Sequence, residues 1–333
     1  TKLIHDTAVP GVKTCVMPQM FIYHGRGPTV ENTREWASQS LKTGATMFDW
    51  YNSGSPPSRV ALPAAHKEML RINRVASTMN KLELPAKTAT AIYFDQRARW
   101  GTFDNSLYSW YTLYTLLGEN LHTWFRFVSD GNIRLGNDRF ENYRLVYVPE
   151  LKYTSRDIAE KLVSFVKQGG VLVLTDPETC RWNIDGSPLT DVRRQLLGGA
   201  LGDPREATSL IVTNGFMGIE KGAELPLTPV RARKGAGKHF AFDIAVPADG
   251  IVFASYADGK PAAYSRRVGT GQVIYFAAQP FGNARLAIQG SSWTGLLSAL
   301  AEKVAEPKVE IWDFMFPKTG GEVEVKYIVH QPE

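Results

Sequence analysis

An α/β fold built on a parallel sheet is the fold class this sequence predicts, and three observations carry the prediction. Arg144-Leu145-Val146-Tyr147-Val148-Pro149 and Gly169-Gly170-Val171-Leu172-Val173-Leu174-Thr175 are short apolar runs of strand length. Between them Ile158, Leu162, Phe165 and Val166 recur at helical spacing, which predicts an amphipathic helix over 155–168. Two buried strands joined by one crossover helix form a right-handed βαβ unit, whose strands run parallel and are covered on both faces. Thr154 followed by Asp157 reads as a capping box at the start of that helix, and Gly169 supplies the left-handed residue that stops it.

The elements upstream follow in order. The run from Thr14 to Tyr23 is extended and apolar, and Thr29 caps a helix with Glu31 in its first turn, Trp36, Ala37 and Leu41 as its stripe, and Gly44 at its end. A second strand covers 45–51. A loop of Asn, Ser, Gly and Pro fills 52–58, and helical spacing returns from Pro63 to about Lys81 through Met69, Ile72 and Val75. Leu84-Pro85 marks a domain boundary. Beyond it come a buried strand from Thr88 to Phe94 ending at Asp95, an aromatic-rich helix over 107–117 and a strand over 123–128. From Asp176 to Gly250 the pattern is irregular. Strands are then predicted at 251–256, 261–265 and 272–277, with Gly269 and Gly271 setting the last turn, before a closing helix over 292–304. After Pro307, residues 309–314 and 322–328 alternate at period two, as half-exposed strands do.

Composition narrows the class further. With 333 residues, 44% of them hydrophobic and 21% charged, the chain carries enough apolar surface to fold, and at roughly 100–200 residues per domain its length suits two domains. The net charge of +5 is dilute and no long basic run occurs, so no nucleic-acid partner is predicted. Cys15 and Cys180 cannot build a disulfide framework, which leaves the compartment open. No run approaches the roughly 18 apolar residues of a membrane span. The chain begins at Thr1 rather than Met, which leaves room for an upstream segment.

Residues 143–149 with 169–175, and Asp258-Gly259-Lys260-Pro261-Ala262-Ala263 with Gly269-Thr270-Gly271-Gln272-Val273-Ile274-Tyr275, resemble the C-terminal part of family 42 glycoside hydrolases, the β-galactosidases. Residues 19–50, with Leu41-Lys42-Thr43-Gly44-Ala45 and Phe48-Asp49-Trp50, resemble the seventh strand, seventh helix and eighth strand of that family's (β/α)8 barrel. The resemblance implies that 1–86 are the C-terminal part of such a barrel. It implies a flavodoxin-like, class I glutamine amidotransferase-like domain over 87–306 that serves oligomerisation, and the start of a C-terminal β segment over 307–333. The partners it implies are further copies of the chain, a trimer being plausible, and a carbohydrate substrate or ligand. No cofactor and no metal is expected.

A class I amidotransferase needs a nucleophilic Cys on a sharp turn after a central strand and a His-Pro-Glu that supplies base and carboxylate. Here Thr175-Asp176-Pro177 follows the strand, Cys180 comes later without flanking glycines, and the His-Pro-Glu position resembles Gln279-Pro280-Phe281. Cys180 is therefore read as structural, and glutamine hydrolysis is not expected. A retaining glycosidase needs two carboxylates about 5–5.5 Å apart. The best match to the nucleophile's position is Pro18-Gln19, no Asp or Glu occurs between Asp6 and Glu31, and Glu31 is explained by its place in a first helical turn.

Asp49 and Trp50, at the end of the strand that resembles the eighth, are candidate sugar contacts, with packing inside the barrel as the other reading; His24 and Arg26 share the same logic. Trp100, Tyr108, Trp110, Tyr111, Tyr114, Trp124 and Phe125 are core packing, a carbohydrate platform or a subunit interface, the interface being the better functional reading. The basic run Arg231–Lys238 is a solvated loop rather than a phosphate cradle, and the six histidines show no metal-ligand spacing. Two functions follow: a portion of a glycosidase-like protein with a catalytically silent oligomerisation domain, or a non-catalytic structural or carbohydrate-binding protein on the same scaffold.

Overall fold

The computed structural model describes residues 1–9, 11–20, 22, 27–51, 63–78, 84–85, 87–101, 108–229, 240–281, 291–305, 308–311 and 327–330. Its internal contacts divide the chain into two units, one of residues 1–86 with 310–328 and one of residues 87–309 with 329–333.

In the first unit, α1 (Lys2–Thr7) is followed by β1 (Cys15–Val16), α2 (Val30–Lys42), β2 (Met47–Phe48) and α3 (Pro63–Thr78). Thr29 caps α2 as predicted, and the reciprocal partner is Asn32, whose side chain accepts from the Thr29 backbone N–H. The strands are shorter than the sequence predicts: β1 and β2 pair in parallel over two residues each, prolonged by a bridge between Gln19 and Tyr51. Met20, Ala37, Trp50, Ala65, Met69, Ile72 and Val75 form the core between α2, α3 and this strand pair. Arg34 of α2 donates to Glu68 of α3 at 3.1 Å, both side chains being buried, and Arg71 adds two further bonds to the same carboxylate.

The second unit is built on nine strands. In chain order its elements are β3 (Thr90–Phe94), α4 (Gln96–Gly101), α5 (Tyr108–Tyr114) running into a π turn (Thr115–Asn120), β4 (Arg126–Ser129), α6 (Asp130–Leu135), β5 (Leu145–Val148), α7 (Arg156–Lys167) and β6 (Val171–Leu174). There follow α8 (Thr190–Leu197), β7 (Ala200–Arg205), β8 (Ser209–Val212), β9 (Glu224–Pro226), β10 (Ala241–Ala245), β11 (Ile251–Ser255), β12 (Pro261–Val268), β13 (Gly271–Phe276) and α9 (Ser292–Lys303). The sheet order is β4-β3-β5-β6-β13-β12-β11-β8-β9. Its first five strands are mutually parallel and the rest pair antiparallel. β7 and β10 form a separate antiparallel ribbon with a register shift between Phe242 and Ile244. β14 (Lys308–Ile311) and β15 (Tyr327–His330) make a two-stranded sheet.

The predicted βαβ unit is β5-α7-β6, with Leu145 opposite Val171 and Val148 opposite Leu174 in parallel register. Every residue of β5 is buried, as a strand covered on both faces requires. The start of α7 differs from expectation. Its N-cap is Ser155, and the Thr154 hydroxyl instead donates to Asp95 at 2.9 Å, a partner 59 positions away that no local motif reveals. The end of α7 is closed by Gly169 at φ +110° and by the β12-β13 hairpin, where Thr270 donates from backbone and side chain to the Lys167 carbonyl. A Cβ at Gly269, itself at φ +63°, would stand 2.5 Å from that same carbonyl oxygen, so the hairpin can approach the helix end only through glycine. Among its described residues, the stretch from Asp176 to Gly250, irregular in sequence, contains α8 and four short strands.

Candidate functional site

In open α/β sheets, ligands bind beyond the C-terminal ends of parallel strands, at the point where strand order reverses. That reversal lies here between β3 and β5: the chain runs outward from β3 to β4 and returns on the other side of β3. The residues that leave the strands at this edge are Asp95 after β3, Pro149 and Glu150 after β5, Thr175 and Asp176 after β6, and Gln279 after β13.

Asp95 is fully engaged. It accepts the backbone N–H groups of Arg97 and Ala98 at the start of α4, and the hydroxyls of Tyr93 and Thr154 at 3.0 and 2.9 Å. Burial raises its pKa, the neighbouring Asp130 adds to the rise, and the hydrogen bonds pull the other way. Asp176 ties the loops after β5 and β6 together by accepting from Leu151 N at 2.7 Å and Glu178 N at 2.9 Å, and burial pushes its carboxyl up to about 6. Arg193 of α8 donates to the carbonyls of Thr179 and Pro177, and the Tyr275 hydroxyl also donates to Pro177 O at 2.8 Å. The turn after β6 is thereby fastened from three sides.

Cys180 closes that turn with φ +53°, is wholly buried, and has its thiol pushed up to about 12 by burial. A thiol so protonated and so enclosed is a poor nucleophile. Gln279 stands where the resemblance asks for a catalytic base. Its amide donates to the Ser109 hydroxyl at 2.7 Å and toward Glu150 at 3.5 Å, while Ser109 N also points to Glu150 at 3.4 Å. Ser109, Glu150 and Gln279 thus meet from three distant parts of the chain. Sequence reading passed over Ser109 and Glu150; the one local signal was a polar residue directly after an apolar strand and its Pro149.

Tyr93, Phe94, Asp95, Ala98, Trp110, Pro149 and Glu150 enclose a cavity of about 10 Å3 at the reversal point. That is room for about one water and for no substrate. Among the described residues no group of three or more His, Cys, Asp and Glu is placed to hold a metal ion, and no helix is long and apolar enough to cross a membrane.

Of the predicted sugar contacts, Asp49 is exposed at the end of β2, with its backbone N–H bonded to Val16 O. Trp50 is 7% exposed, stacks on Phe48 with ring centroids 5.4 Å apart, and donates to Asn73 at 2.7 Å. Its indole faces are packed within the unit's core. His24 and Arg26 lie outside the described residues, as does the basic run Arg231–Lys238. The aromatic concentration is largely core. Trp110 meets Phe94 and Phe127 edge-on, Tyr114 meets Phe125 and Phe127, and Tyr111 is the exposed member at 39%. The side chains of Trp100 and Tyr108 fall outside what is described.

Fold and site together define a mixed α/β domain on a large sheet, at whose switch point the described side chains line a cavity of about 10 Å3. The β-galactosidase trimerisation domain of glycoside hydrolase family 42 matches over residues 88–304, and the chain belongs to that family. Over 153 residues it is 31% identical to the β-galactosidase BglY of Alicyclobacillus acidocaldarius subsp. acidocaldarius, a match covering 42% of this chain and 20% of that protein. Among solved structures it is similar to the β-galactosidase from Bacillus circulans sp. alkalophilus (TM-score 0.67, 17% identity, 91% of this chain and 47% of that one). It is also similar to the β-galactosidase from Rahnella sp. R3 (TM-score 0.66, 16% identity, 94% and 50%). The chain therefore spans a fifth of the length of the first and about half the length of the others.

Proposed function

We propose that this chain is part of a β-galactosidase-like glycoside hydrolase in which residues 87–306 form a catalytically silent, amidotransferase-like domain that holds protomers together. In this reading residues 1–86 are the tail of a (β/α)8 barrel and residues 307–333 begin a further β segment. One observation carries the silence of the domain: Cys180, after β6, is a buried thiol pushed up to about 12, with Gln279 rather than a base after β13. The family's own name, the β-galactosidase trimerisation domain, supports oligomerisation, and a trimer is the assembly it names.

Two measurements test it. Ammonia release from glutamine stays at the buffer rate, and release above it refutes the silence of the domain. Light scattering at micromolar concentration gives a mass near three chains, and a monomer refutes the oligomerisation role. Sugar contact by Asp49, His24 and Arg26 belongs to this reading and is supported by their places after the strands that resemble the seventh and eighth of the barrel, whereas Trp50, packed on Phe48 and bonded to Asn73, takes the packing alternative. Asp49→Ala is expected to raise KM for a galactoside in the longer protein without unfolding it.

A second reading, a non-catalytic carbohydrate-binding or structural protein, is favoured by the lack of any Asp or Glu between Asp6 and Glu31, where the resemblance places a nucleophile. An immunoblot of source cells separates the two: a band well above 37.0 kDa supports the first and a band at that mass the second.

A further inference from the structure

The loops after β5 and β6 pair with each other and present a row of rings. Tyr153 bridges Trp182 in parallel, and Trp182 bridges Pro188 antiparallel. The Trp182 backbone N–H donates to Lys152 O and the Thr154 N–H to Trp182 O, both at 3.0 Å, and a hairpin over 183–187 leads to Pro188. Residues opposite each other in a sheet point to one side, so Tyr153, Trp182 and Pro188 share a face. The alternate positions Thr154 and Leu189 are buried, which makes theirs the inward side. The row faces outward: Tyr153 and Trp182 are half-buried, Pro188 is exposed, and Ile184 in the hairpin is 43% exposed.

The two rings are held in place. Lys152 Nζ stands 5.9 Å from the centre of the Tyr153 ring, and the Arg181 guanidinium 5.5 Å from that of Trp182. Buried Glu178 pairs with both cations, at 2.9 and 2.5 Å, so one carboxylate fixes both ring supports. The Trp182 indole N–H and the Tyr153 hydroxyl make no hydrogen bond among the described residues and remain accessible. Each ring therefore offers an apolar face beside a free polar handle. We propose that this row is a platform for a neutral oligosaccharide, whose pyranose C–H faces stack on Trp182 and Tyr153 and whose hydroxyls bond the indole N–H and the phenol.

Charge and size select that partner. Glu178 offsets one of the two cations and Asp185, exposed in the hairpin, offsets the other, so nothing favours an anionic ligand. A specific protein interface buries about 800 Å2 per partner. The row spans only two strand spacings, roughly 10 Å. A short sugar chain matches that width. The inference uses neither the barrel reading nor the oligomerisation reading, and it can stand if both fail.

The test titrates the whole 333-residue chain, 15N-labelled at tryptophan, with cellotriose and with β-1,4-linked galactotriose. Loss of one resonance in Trp182→Phe assigns the Trp182 indole. A saturable shift of that resonance with a millimolar Kd for either sugar is expected, and Tyr153→Ala is expected to weaken binding about tenfold at an unchanged melting temperature. No shift with either sugar, or shifts confined to other tryptophans, overturns the proposal. Light scattering on Trp182→Ala tests the rival occupant, a second copy of the chain: the oligomeric state of the parent is expected to persist, and dissociation makes the row a protomer contact and overturns the platform.

Discussion

On one face of the parallel strands, Val146, Val148, Leu172, Leu174 and Val273 pack against Ile158, Leu162, Phe165 and Val166 of α7 and Val192, Leu196 and Leu197 of α8. On the other face the alternation of the strands turns Ile92, Phe94, Phe127, Tyr147 and Phe276 toward α5, its π turn and α9, where Trp110 and Trp293 meet Phe94 and Phe276. The first face is the more aliphatic, with Phe140 and Phe165 among its aromatics, and its buried tyrosines Tyr264 and Tyr275 are paired, donating to Leu197 O and Pro177 O at 2.8 Å each. The second is aromatic and holds buried polar atoms without partners among the described residues, Tyr147 OH, Trp110 Nε1 and Thr115 Oγ1. The difference teaches that one face is built for stability, while the other carries polar groups that its packing does not use. Buried polar groups of that kind call for a specific account.

The sharpest test of the aliphatic face is Leu162→Ala in α7. Leu162 is fully buried at the centre of the helix stripe, so the truncation removes both transfer free energy and packing, about 2–5 kcal/mol. Urea unfolding followed by circular dichroism measures it. A loss under 1 kcal/mol, well below that roughly 2–5 kcal/mol range, means the face collapses around the gap and is not the well-packed layer described here.

The two faces also differ in how far they were legible. The α7 face is written in local periodicity, because Ile158, Leu162, Phe165 and Val166 need only helical spacing to be found. The second face was visible as an aromatic concentration, but not as a layer, because α5 passes into a π turn at Thr115 and breaks the 3.6-residue rhythm. β7 and β10 were missed for another reason. They are short and half-exposed, and their pairing spans some forty positions, as between Arg205 and Ala241. The site was least legible: Ser109, Glu150 and Gln279 converge through contacts 41, 129 and 170 positions apart, which no window of sequence contains.

The next test concerns charge at the edge of the aliphatic face. Burial pushes the Asp176 carboxyl from its ordinary 3.8 up to about 6, so the folded state binds its proton more tightly than the unfolded chain does. Between those two values the folded state holds more protons, and stability falls as pH rises through the window. At 1.36 kcal/mol per unit the penalty at neutral pH is on the order of 3 kcal/mol. Asp176→Asn does not titrate. Its stability relative to the parent is therefore expected to improve from pH 4 to pH 7, from whatever starting offset the altered bonds to Leu151 and Glu178 create. Chemical denaturation of both proteins across that range gives the difference, and a flat line contradicts the assignment.

The smallest effects break the comparison most directly, because they carry opposite signs. Tyr147→Phe removes a buried hydroxyl that has no partner among the described residues and leaves the ring in place. Relieving an unsatisfied hydroxyl is expected to stabilise the fold by about 1 kcal/mol. Thr175→Val, at the end of β6, makes the same change in a nearly isosteric side chain and is expected to shift stability the same way. Tyr264→Phe on the opposite face removes a hydroxyl that donates to Leu197 O, and is expected to destabilise by about 1 kcal/mol through the carbonyl left behind. Thermal melts of the three variants under one buffer decide the matter. If Tyr147→Phe and Tyr264→Phe move the midpoint in the same direction, the two faces are equivalent in hydrogen bonding and the contrast drawn between them fails.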